Sequence, residues 1–579
     1  MSKISKNWFW ALILVWGLFW TFCTKPGPQK EEKAEPGVCS QELNFPGAVE
    51  KVLPEKNQEP AFGDWLVRRL SAEPATLNPI TATDVYSEMV FSLVMETLLE
   101  MDLATQELVP LLAERYEISP DKLVFTFYLR KNVFWQDGKP FNADDVIYSF
   151  ERIMDPKVDS AHLRVYYLDC VEAKKLDDYT VRFRWRVPYF KSLEMLGGLP
   201  IVPKHILDDG TDFNAHPFGR ALIGTGPYQM VSWETGKRIE LVRNKDYWGK
   251  PGYFERIIFK IITDDNVSLQ VFNQGGIDLV GLTPIQWLKQ TNYSGFLKRA
   301  NKIAYDYPQF GYIGWNLRRP PFDDKKVRKA MTMLLNRDAI LKNIYFCLGK
   351  VVSGPVYINT PYYDHSIQPL AYDPAQAKQL LTEAGWIDQN QDGIREKQGK
   401  DFRFELLIPA GNENAEKLAT IFKEDLKKAG IEMSIRMLEW SVFLKNLNEW
   451  KFDACMLGWA MDANTDLYQI WHSSLADIKA SSNHIGYKNP EVDRLIEQAR
   501  KEFDKEKRVQ MYHQIHRIIA EDQPYTFLFT NKALIAIDKR IKNVIPYPIR
   551  PSFKFTDWFV PIELQKYSET DSSKTSPQK

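Results

Sequence analysis

The chain of 579 residues carries few of the residue patterns that support covalent or metal-dependent catalysis. It has no G-x-S-x-G sequence, which places a nucleophilic serine on a sharp turn, and no H-E-x-x-H sequence, which binds zinc on a helix. Its cysteines show no C-x-x-C spacing and stand at Cys23, Cys39, Cys170, Cys347 and Cys455. These patterns argue against a secreted hydrolase. We predict a protein that is not an enzyme, with no catalytic residue, no cofactor and no resident metal.

One short pattern resembles half of a calcium-binding loop. Asp388, Asn390 and Asp392 supply oxygen ligands at alternate positions ahead of Gly393, as in the first part of such a loop. The twelfth position is Gly399, where a calcium loop has a bidentate glutamate. A turn between a helix and a strand is the preferred interpretation, and calcium stays open.

A second candidate stands at residues 458–462, after the apolar stretch 454–457. On residue type alone, Trp459 suits a core position and Asp462 suits a loop or a helix cap. An ionised carboxylate beside an aromatic ring can also replace water around an enclosed cation. The residues themselves leave both interpretations open.

The first 23 residues have the form of an export signal. Lys3 and Lys6 precede an uncharged run over residues 8–22, which is shorter than the ~20 apolar residues of a membrane span. We predict a signal peptide over 1–22, a lipid attached to Cys23, and a flexible Pro/Lys/Glu-rich tether over 23–60. Phe22 stands where lipid-attachment signals have a small residue, so an uncleaved anchor or another cleavage site is the alternative. Export also permits one disulfide, but the sequence does not choose the pair.

Composition predicts a large globular protein with more than one lobe. Hydrophobic residues make up 44% of the chain and aromatic residues 13%, and single cores stop growing near ~250–300 residues. The 75 basic and 75 acidic side chains cancel, and no basic stripe is present, so we expect no nucleic-acid partner. The polar end of the chain, 568–579, is predicted to be disordered.

The elements between these ends mix strands and helices. Residues 123–129 and 181–185 alternate apolar and polar side chains, which predicts strands with one buried face. Asn142 and Asp373 are predicted helix N-caps, and Gly385 is a predicted helix stop. In GTGPY (224–228) the two glycines predict backbone angles that other residues avoid. Because strands and helices do not alternate strictly, we predict an α/β protein with several sheets.

A series of phrases resembles the family 5 extracellular solute-binding proteins of ABC importers, from about Trp65 to Glu563. They are TLNP (76–79), ETLL (96–99), LAERYEISPD (112–121), FTFYLRKNVFWQDGKPF (125–141), ADDV (143–146), GTGPY (224–228), RNKDYW (243–248), Asn316 and PFDDKKVRKA (321–330). Each phrase alone is weak, but their number and order favour the family.

The resemblance implies a two-lobed periplasmic-binding-protein type II fold with an extra insertion domain and a ligand cleft between hinged lobes. Lobe I would be discontinuous, over 64–101, 223–316 and 523–566. The insertion domain would span 102–222, and lobe II 317–522.

The resemblance also implies a function, the capture of peptides in the cleft and their delivery to a permease. In peptide-binding members an aspartate three residues after the tryptophan neutralises the ligand's α-ammonium group, and Asp462 matches it. Gly458 and Trp459 would line the same site. We expect a monomer, exported to the periplasm or cell surface and held at the membrane by its lipid.

The other end of the ligand has no clear partner in the sequence. Some dipeptide-selective members hold the ligand carboxylate with an arginine of lobe II, but residues 406–412 contain no cation and Met456 is not a base. This favours oligopeptides recognised through their main chain. The alternatives are a nickel chelate, haem or another non-peptide ligand, and a surface receptor that senses peptides without transport.

Overall fold

The computed structural model of the chain describes Cys39, Phe45 and residues 47–462 and 464–567. All of them belong to one compact unit, Cys39–Lys579. The predicted signal peptide (1–22), the predicted lipid-bearing Cys23 and the predicted disordered tail (568–579) lie outside the described residues.

Strands and helices are interspersed along the chain, which confirms the predicted α/β class. The strands are β1 (Trp65–Leu70), β2 (Leu99–Met101), β3 (Leu108–Pro110), β4 (Ala113–Ile118), β5 (Val124–Leu129), β6 (Cys170–Asp177), β7 (Thr180–Trp185), β8 (Tyr228–Glu234), β9 (Arg238–Arg243), β10 (Arg256–Ile261), β11 (Leu279–Gly281), β12 (Ala300–Tyr305), β13 (Gln309–Trp315), β14 (Gly349–Val351), β15 (Glu396–Lys397), β16 (Lys400–Asp401), β17 (Arg403–Pro409), β18 (Glu432–Leu438), β19 (Ala454–Ala460), β20 (Tyr525–Phe527), β21 (Phe529–Asn531) and β22 (Ala533–Asp538). The α-helices are α1 (Val85–Phe91), α2 (Ala143–Met154), α3 (Ala161–Arg164), α4 (Ser192–Gly197), α5 (Lys204–Leu207), α6 (Asp265–Asn273), α7 (Ser294–Arg299), α8 (Lys325–Met333), α9 (Arg337–Asn343), α10 (Pro374–Glu383), α11 (Glu413–Lys427), α12 (Trp440–Asn448), α13 (Tyr468–Trp471), α14 (Pro490–Lys501) and α15 (Lys505–Asp522).

Lobe I is built on a seven-stranded mixed sheet in the order β12-β22-β11-β1-β10-β9-β8. β1 runs parallel to both of its neighbours, β10 and β11. Side chains alternate along a strand, so Trp65 and Val67 join one core while Leu66 and Leu70 join the core on the opposite face. The central strand is therefore covered on both faces.

The predicted insertion domain contains a four-stranded antiparallel sheet in the order β4-β5-β7-β6. Phe125, Phe127 and Leu129 of β5 are buried while the residues between them are not, as their alternation predicts. Asn142 caps α2 through a reciprocal capping box with Asp145, which confirms the predicted N-cap.

Lobe II is built on a five-stranded sheet in the order β18-β17-β19-β13-β20. We predicted this lobe over 317–522, but β13 and β20 lie outside those bounds and pair within its sheet. Both strands are largely apolar and mostly buried, so their sequences carry no sign of which sheet they join. Two segments link the large sheets: residues 306–308 between β12 and β13, and residues 528–532 between β20 and β22.

The end of the predicted tether is attached to lobe I and is not free. Val52 exchanges two backbone hydrogen bonds of 2.8 Å with Val544, and the Val49 amide donates to the Lys302 carbonyl of the edge strand β12. A disulfide joins Cys39 to Cys347. The prediction of a flexible segment to residue 60 is wrong at residues 48–52, because unpaired groups on a sheet edge offer partners that composition does not reveal.

The glycines of GTGPY have a different role from the predicted one. A Cβ on Gly224 would lie 1.8 Å from the Val94 carbonyl oxygen, and one on Gly226 would lie 2.8 Å from the same atom. Neither residue has a left-handed φ. The chain needs glycine here because two backbone segments touch.

Candidate ligand-binding site

Asp462 lies just beyond the end of β19, next to the first connection between the lobes. β19 pairs antiparallel with β13, and the Met461 amide continues this pairing by donating to the Pro308 carbonyl at 2.8 Å. The pairing fixes the backbone just ahead of Asp462. The Asp462 side chain remains 52% exposed, so the structure leaves it accessible.

Cations from two other parts of the chain approach the Asp462 carboxylate. Lys191 Nζ, from the insertion domain, lies 3.7 Å from Oδ2, and Arg550 Nη1, from lobe I, lies 3.6 Å from Oδ1. Both separations exceed the ~2.7–3.2 Å of a hydrogen bond, so they are ion pairs without direct bonds. Asp462 is where lobe I, lobe II and the insertion domain meet.

Arg550 is held in place by lobe I itself. It donates directly to Glu88 of α1 and forms a side-chain hydrogen bond with Tyr307. α1 begins at its N-cap Asp84, whose carboxylate accepts the Tyr86 amide at 3.0 Å. Burial raises the pKa of Glu88, an effect that the Arg550 guanidinium reduces. Burial opposes the charge of Arg550, but the carboxylates of Glu88 and Asp462 raise its pKa.

Lys191 is similarly paired within the insertion domain. It stands at the N-terminus of α4, its side chain is fully buried, and its Nζ lies 3.0 Å from Glu194 Oε1. Burial works against its charge, yet Glu194 and Asp462 raise the pKa of Lys191. Burial also raises the pKa of Glu194, against the effect of Lys191.

These five groups form an acidic cluster: Glu88, Lys191, Glu194, Asp462 and Arg550. When all five are ionised, three carboxylates face two cations, and one negative charge is left over. Asp462 is the most exposed of the three carboxylates, at 52% against 40% for Glu88 and 23% for Glu194. Asp462 is therefore the carboxylate of this cluster that is most open to solvent.

The predicted neighbours of Asp462 lie on β19. Trp459 is half-buried in the aromatic core of lobe II, where its Nε1 donates to the Tyr525 hydroxyl at 3.2 Å and its ring stacks on Tyr312. Gly458 is exposed, and a Cβ there would lie 3.2 Å from the Phe310 carbonyl oxygen. Contact of Trp459 and Gly458 with a ligand stays a prediction.

The loop after Asp462 is tied to the insertion domain. Asp466 is 4% exposed, accepts a hydrogen bond from the Tyr189 hydroxyl at 2.7 Å and pairs with Arg500 Nε at 3.0 Å. Neither these residues nor the partners of Asp462 were predicted from the sequence. They come from distant parts of the chain and carry no local motif.

The two lobes also touch away from Asp462. Tyr86 of lobe I and Trp440 of lobe II pack edge to face with ring centres 5.4 Å apart. A Cβ on Gly411 of lobe II would lie 3.0 Å from the Thr263 carbonyl oxygen of lobe I. The lobes are therefore in contact across the cleft.

The family model for bacterial extracellular solute-binding proteins, family 5, matches residues 107–480. The chain belongs to this family. It is 32% identical over 519 residues to the oligopeptide-binding protein AppA of Bacillus subtilis, covering 87% of this chain and 92% of AppA. It is 28% identical over 487 residues to the dipeptide-binding protein of Escherichia coli, covering 78% of this chain and 86% of that relative.

Solved structures of the family share the whole fold. AppA of Bacillus subtilis with a nonapeptide matches with a TM-score of 0.82 and 30% identity, over 87% of this chain and 100% of that one. DppA of Helicobacter pylori with the peptide STSA matches with a TM-score of 0.79 and 25% identity, over 86% and 99%. NikZ of Campylobacter jejuni with Ni(L-His) matches with a TM-score of 0.75 and 25% identity, over 86% and 100%. The two-lobed fold expected from the resemblance is thus confirmed.

One group in this family member resembles a catalytic triad. Ser353 Oγ lies 3.0 Å from His516 Nε2, and the backbone amide of Asp364 contacts the other ring nitrogen of His516. However, His516 Nδ1 accepts the Asp364 backbone amide at 3.2 Å, so the ring proton must sit on Nε2 and be donated to Ser353. A histidine that donates to the serine cannot remove its proton. Ser353 is 4% exposed, so this group is structural.

A cluster of metal-binding side chains and a membrane-spanning helix are both absent from the described residues. Over residues 47–462 and 464–567, no group of three or more His, Cys, Asp or Glu side chains is arranged to hold a metal ion. The Asp388 loop is instead organised by its own hydrogen bonds, with the Gly393 amide donating to Asp388 at 3.1 Å. In the same part of the chain no helix has the length and apolar character needed to cross a bilayer.

Proposed function

We propose that this protein captures peptides with a free amino terminus between its lobes and hands them to an ABC importer. In this proposal the Asp462 carboxylate accepts hydrogen bonds from the ligand's α-ammonium group. Support comes from the peptide-bound relatives AppA and DppA, which match this chain over nearly its whole described length.

The observation that carries the proposal is the unbalanced charge around Asp462. An ammonium group enclosed between lobes loses its water, and an ionised carboxylate at hydrogen-bonding distance replaces that solvation. Lys191 and Arg550 stay beyond hydrogen-bonding distance, so the half-exposed oxygens of Asp462 can still accept donors. A neutral or anionic ligand end would leave the surplus negative charge uncompensated.

Asp462→Asn tests this role because it keeps the shape and removes the charge. We expect a free-amine peptide to bind roughly 10- to 150-fold more weakly, the loss of one charge-assisted hydrogen bond. N-acetylation of the peptide should weaken binding to wild type by a similar factor and have little further effect on Asp462→Asn. Isothermal titration calorimetry measures all four combinations.

Asp477→Asn is the matched control, since Asp477 is an exposed lobe II carboxylate paired with Lys488 at 2.6 Å. It should bind both peptides like wild type. Equal affinity of wild type and Asp462→Asn for the free-amine peptide would remove Asp462 from the site.

The identity of the natural ligand requires a separate measurement. Native mass spectrometry of protein purified from its own host reports the mass of any retained ligand. Peptide masses support the proposal. A metal-chelate mass, of the kind that the NikZ match suggests, replaces it.

We further propose that the mature protein is a monomer that begins at Cys23, carries lipid there and works outside the cytoplasm. Closure of the lobes around a peptide would give the permease a shape populated mainly in the bound state. The intact mass of the same purified protein tests the cleavage and the lipid. A chain that retains residues 1–22 contradicts both.

A further inference from the structure

Arg68 is a buried guanidinium that lacks an oxygen partner. It lies on the central strand β1 and is 6% exposed. Its Nε and Nη1 are buried and make no hydrogen bond, and its Nη2 reaches only the sulfur of Met89 at 3.6 Å. No carboxylate of the described residues lies within 4.0 Å of it.

The other buried arginines of the described chain all have oxygen partners, which Arg68 lacks. Arg337 donates to the carbonyl oxygens of Phe527 and Leu370, and Arg540 pairs with Asp64 and Asp278. Arg328 and Arg508 likewise donate to oxygen atoms. A buried charge without hydrogen bonds is costly to the fold. Burial lowers the pKa of Arg68 to about 10, so it remains charged at neutral pH.

Aromatic rings compensate only part of this charge. The guanidinium lies 4.3 Å from the ring centre of Phe555 and 5.4 Å from that of Phe259. These cation–π contacts use the faces of the group and leave its N–H donors free. Phe555 and Met89, which contact the guanidinium, are themselves only partly buried.

Arg68 lies on the side of lobe I that carries part of the acidic cluster. Met89 follows Glu88 on α1, and Tyr305 interacts electrostatically with Arg68 and with Tyr307. Tyr307 is the hydroxyl partner of Arg550. Phe555, whose ring faces the Arg68 guanidinium, follows Arg550 by five residues in the chain.

We propose that Arg68 binds a carboxylate of the ligand. The proposal rests on the peptide function given above and adds the second end of the recognition. The acidic cluster has one surplus negative charge and Arg68 has one positive charge, so a zwitterionic ligand neutralises both. The planar guanidinium suits a carboxylate, which it can hold through two parallel hydrogen bonds. The carboxylate comes either from the C-terminus of the peptide or from an acidic side chain.

Arg68→Met tests the proposal with paired ligands. A short free-amine peptide is compared as the free acid and as the C-terminal amide, and an amidated peptide is compared with Glu or Gln at each position in turn. Wild type should prefer one carboxylate-bearing ligand by about 10- to 100-fold, and Arg68→Met should lose that preference. Preference for the acid over the amide assigns the C-terminus, and preference for Glu over Gln assigns the side chain.

Arg69→Gln is the matched control, because Arg69 is the next residue on β1 and pairs with Asp265 at 2.7 Å. It should keep the wild-type preference even if its overall affinity falls. The melting temperature of ligand-free Arg68→Met should be at or above that of wild type, since the substitution removes an uncompensated charge.

Three outcomes separate the possible failures. If wild type binds no peptide of any kind, the proposed function is wrong, and the proposal for Arg68, which depends on it, is wrong as well. If wild type binds peptides without any dependence on a carboxylate, the Arg68 proposal alone is wrong. If Arg68→Met folds and retains the full carboxylate preference, the proposal is also wrong and Arg68 only packs against aromatic rings.

Discussion

The Glu96 carboxylate shows how single residues in the family-like phrases act. It accepts hydrogen bonds from the Tyr247 hydroxyl at 2.6 Å and from Trp248 Nε1 at 3.0 Å, and Thr225 is a further side-chain partner. ETLL, RNKDYW and GTGPY, three phrases far apart in sequence, therefore meet at one buried carboxyl. They stabilise the fold of lobe I, and none of them belongs to the acidic cluster.

This carboxyl makes stability depend on pH. Burial raises the pKa of Glu96 to about 7, whereas in the unfolded chain it ionises near the ordinary value of 4.5. Between these values the folded protein holds a proton that the unfolded chain has released, so rising pH favours unfolding. The stabilisation is complete below about 4.5 and is lost as pH rises through about 7.

Glu96→Gln removes this titration. From pH 5 to pH 8 we expect wild type to lose up to about 3 kcal/mol of unfolding free energy relative to Glu96→Gln. Urea denaturation at several pH values measures the difference. A constant difference across this range would show that Glu96 stays ionised in the folded protein. Glu107→Gln, at an exposed site, should track wild type throughout.

The resemblance to the family predicted Asp462 as a site residue but not its partners, for a physical reason. The residues 458–462 that carry this resemblance are contiguous in the sequence, whereas the partners are not. The partners of Asp462 come close to it only in the folded chain, and they are Lys191, Glu88 and Arg550. A lysine or arginine whose partner is far away in the sequence looks like any other basic residue. The unpartnered state of Arg68 is likewise visible only once its neighbours are in place.

At the scale of elements, strand and helix patterns were predictable where one face is buried, as in β5 and β7. The N-terminal arm, residues 47–53, was not, because its contacts depend on an exposed sheet edge. The arm covers β12 through the Val49 amide and an isolated pairing of Ala48 with Lys302. Phe45 adds an edge-to-face contact with Trp287 at 6.2 Å. The disulfide of Cys39 fixes the chain ahead of this arm.

Cys347→Ser should release the arm without unfolding the lobes. Only a few backbone hydrogen bonds and one aromatic contact then remain to hold it, and such segments open locally at low free-energy cost. We expect limited proteolysis under non-reducing conditions to cut near residues 39–60 faster than in wild type. Cys170→Ser is the control, because Cys170 is a free thiol and its loss should leave the cleavage rate unchanged. An arm as resistant in Cys347→Ser as in wild type would mean that its pairing with β12 is sufficient.

At the scale of the whole molecule, the site depends on how its parts meet. Asp462 is supplied by lobe II, Arg550 by lobe I and Lys191 by the insertion domain. A hydrogen bond from Tyr189 to Asp466 joins the insertion domain to lobe II. The insertion domain shares one hydrophobic core with lobe I. Closure would therefore bring Asp462 of lobe II toward Lys191, Glu88 and Arg550 as one group. Ligand binding and closure then share the same charges.

Tyr86 and Trp440 form an aromatic contact between the lobes. Trp440→Ala should therefore weaken closure of the lobes. Loss of an aromatic pair of this kind predicts binding about 2- to 10-fold weaker for any peptide. Small-angle X-ray scattering at limiting ligand should show a larger radius of gyration than for wild type. Trp440→Phe keeps a ring opposite Tyr86 and should behave nearly as wild type in both measurements. Because Trp440 lies outside the acidic cluster, Trp440→Ala should weaken free-amine and N-acetylated peptides by the same factor. A selective loss of free-amine peptides would mean that Trp440 acts on the ammonium site and not on the movement of the lobes.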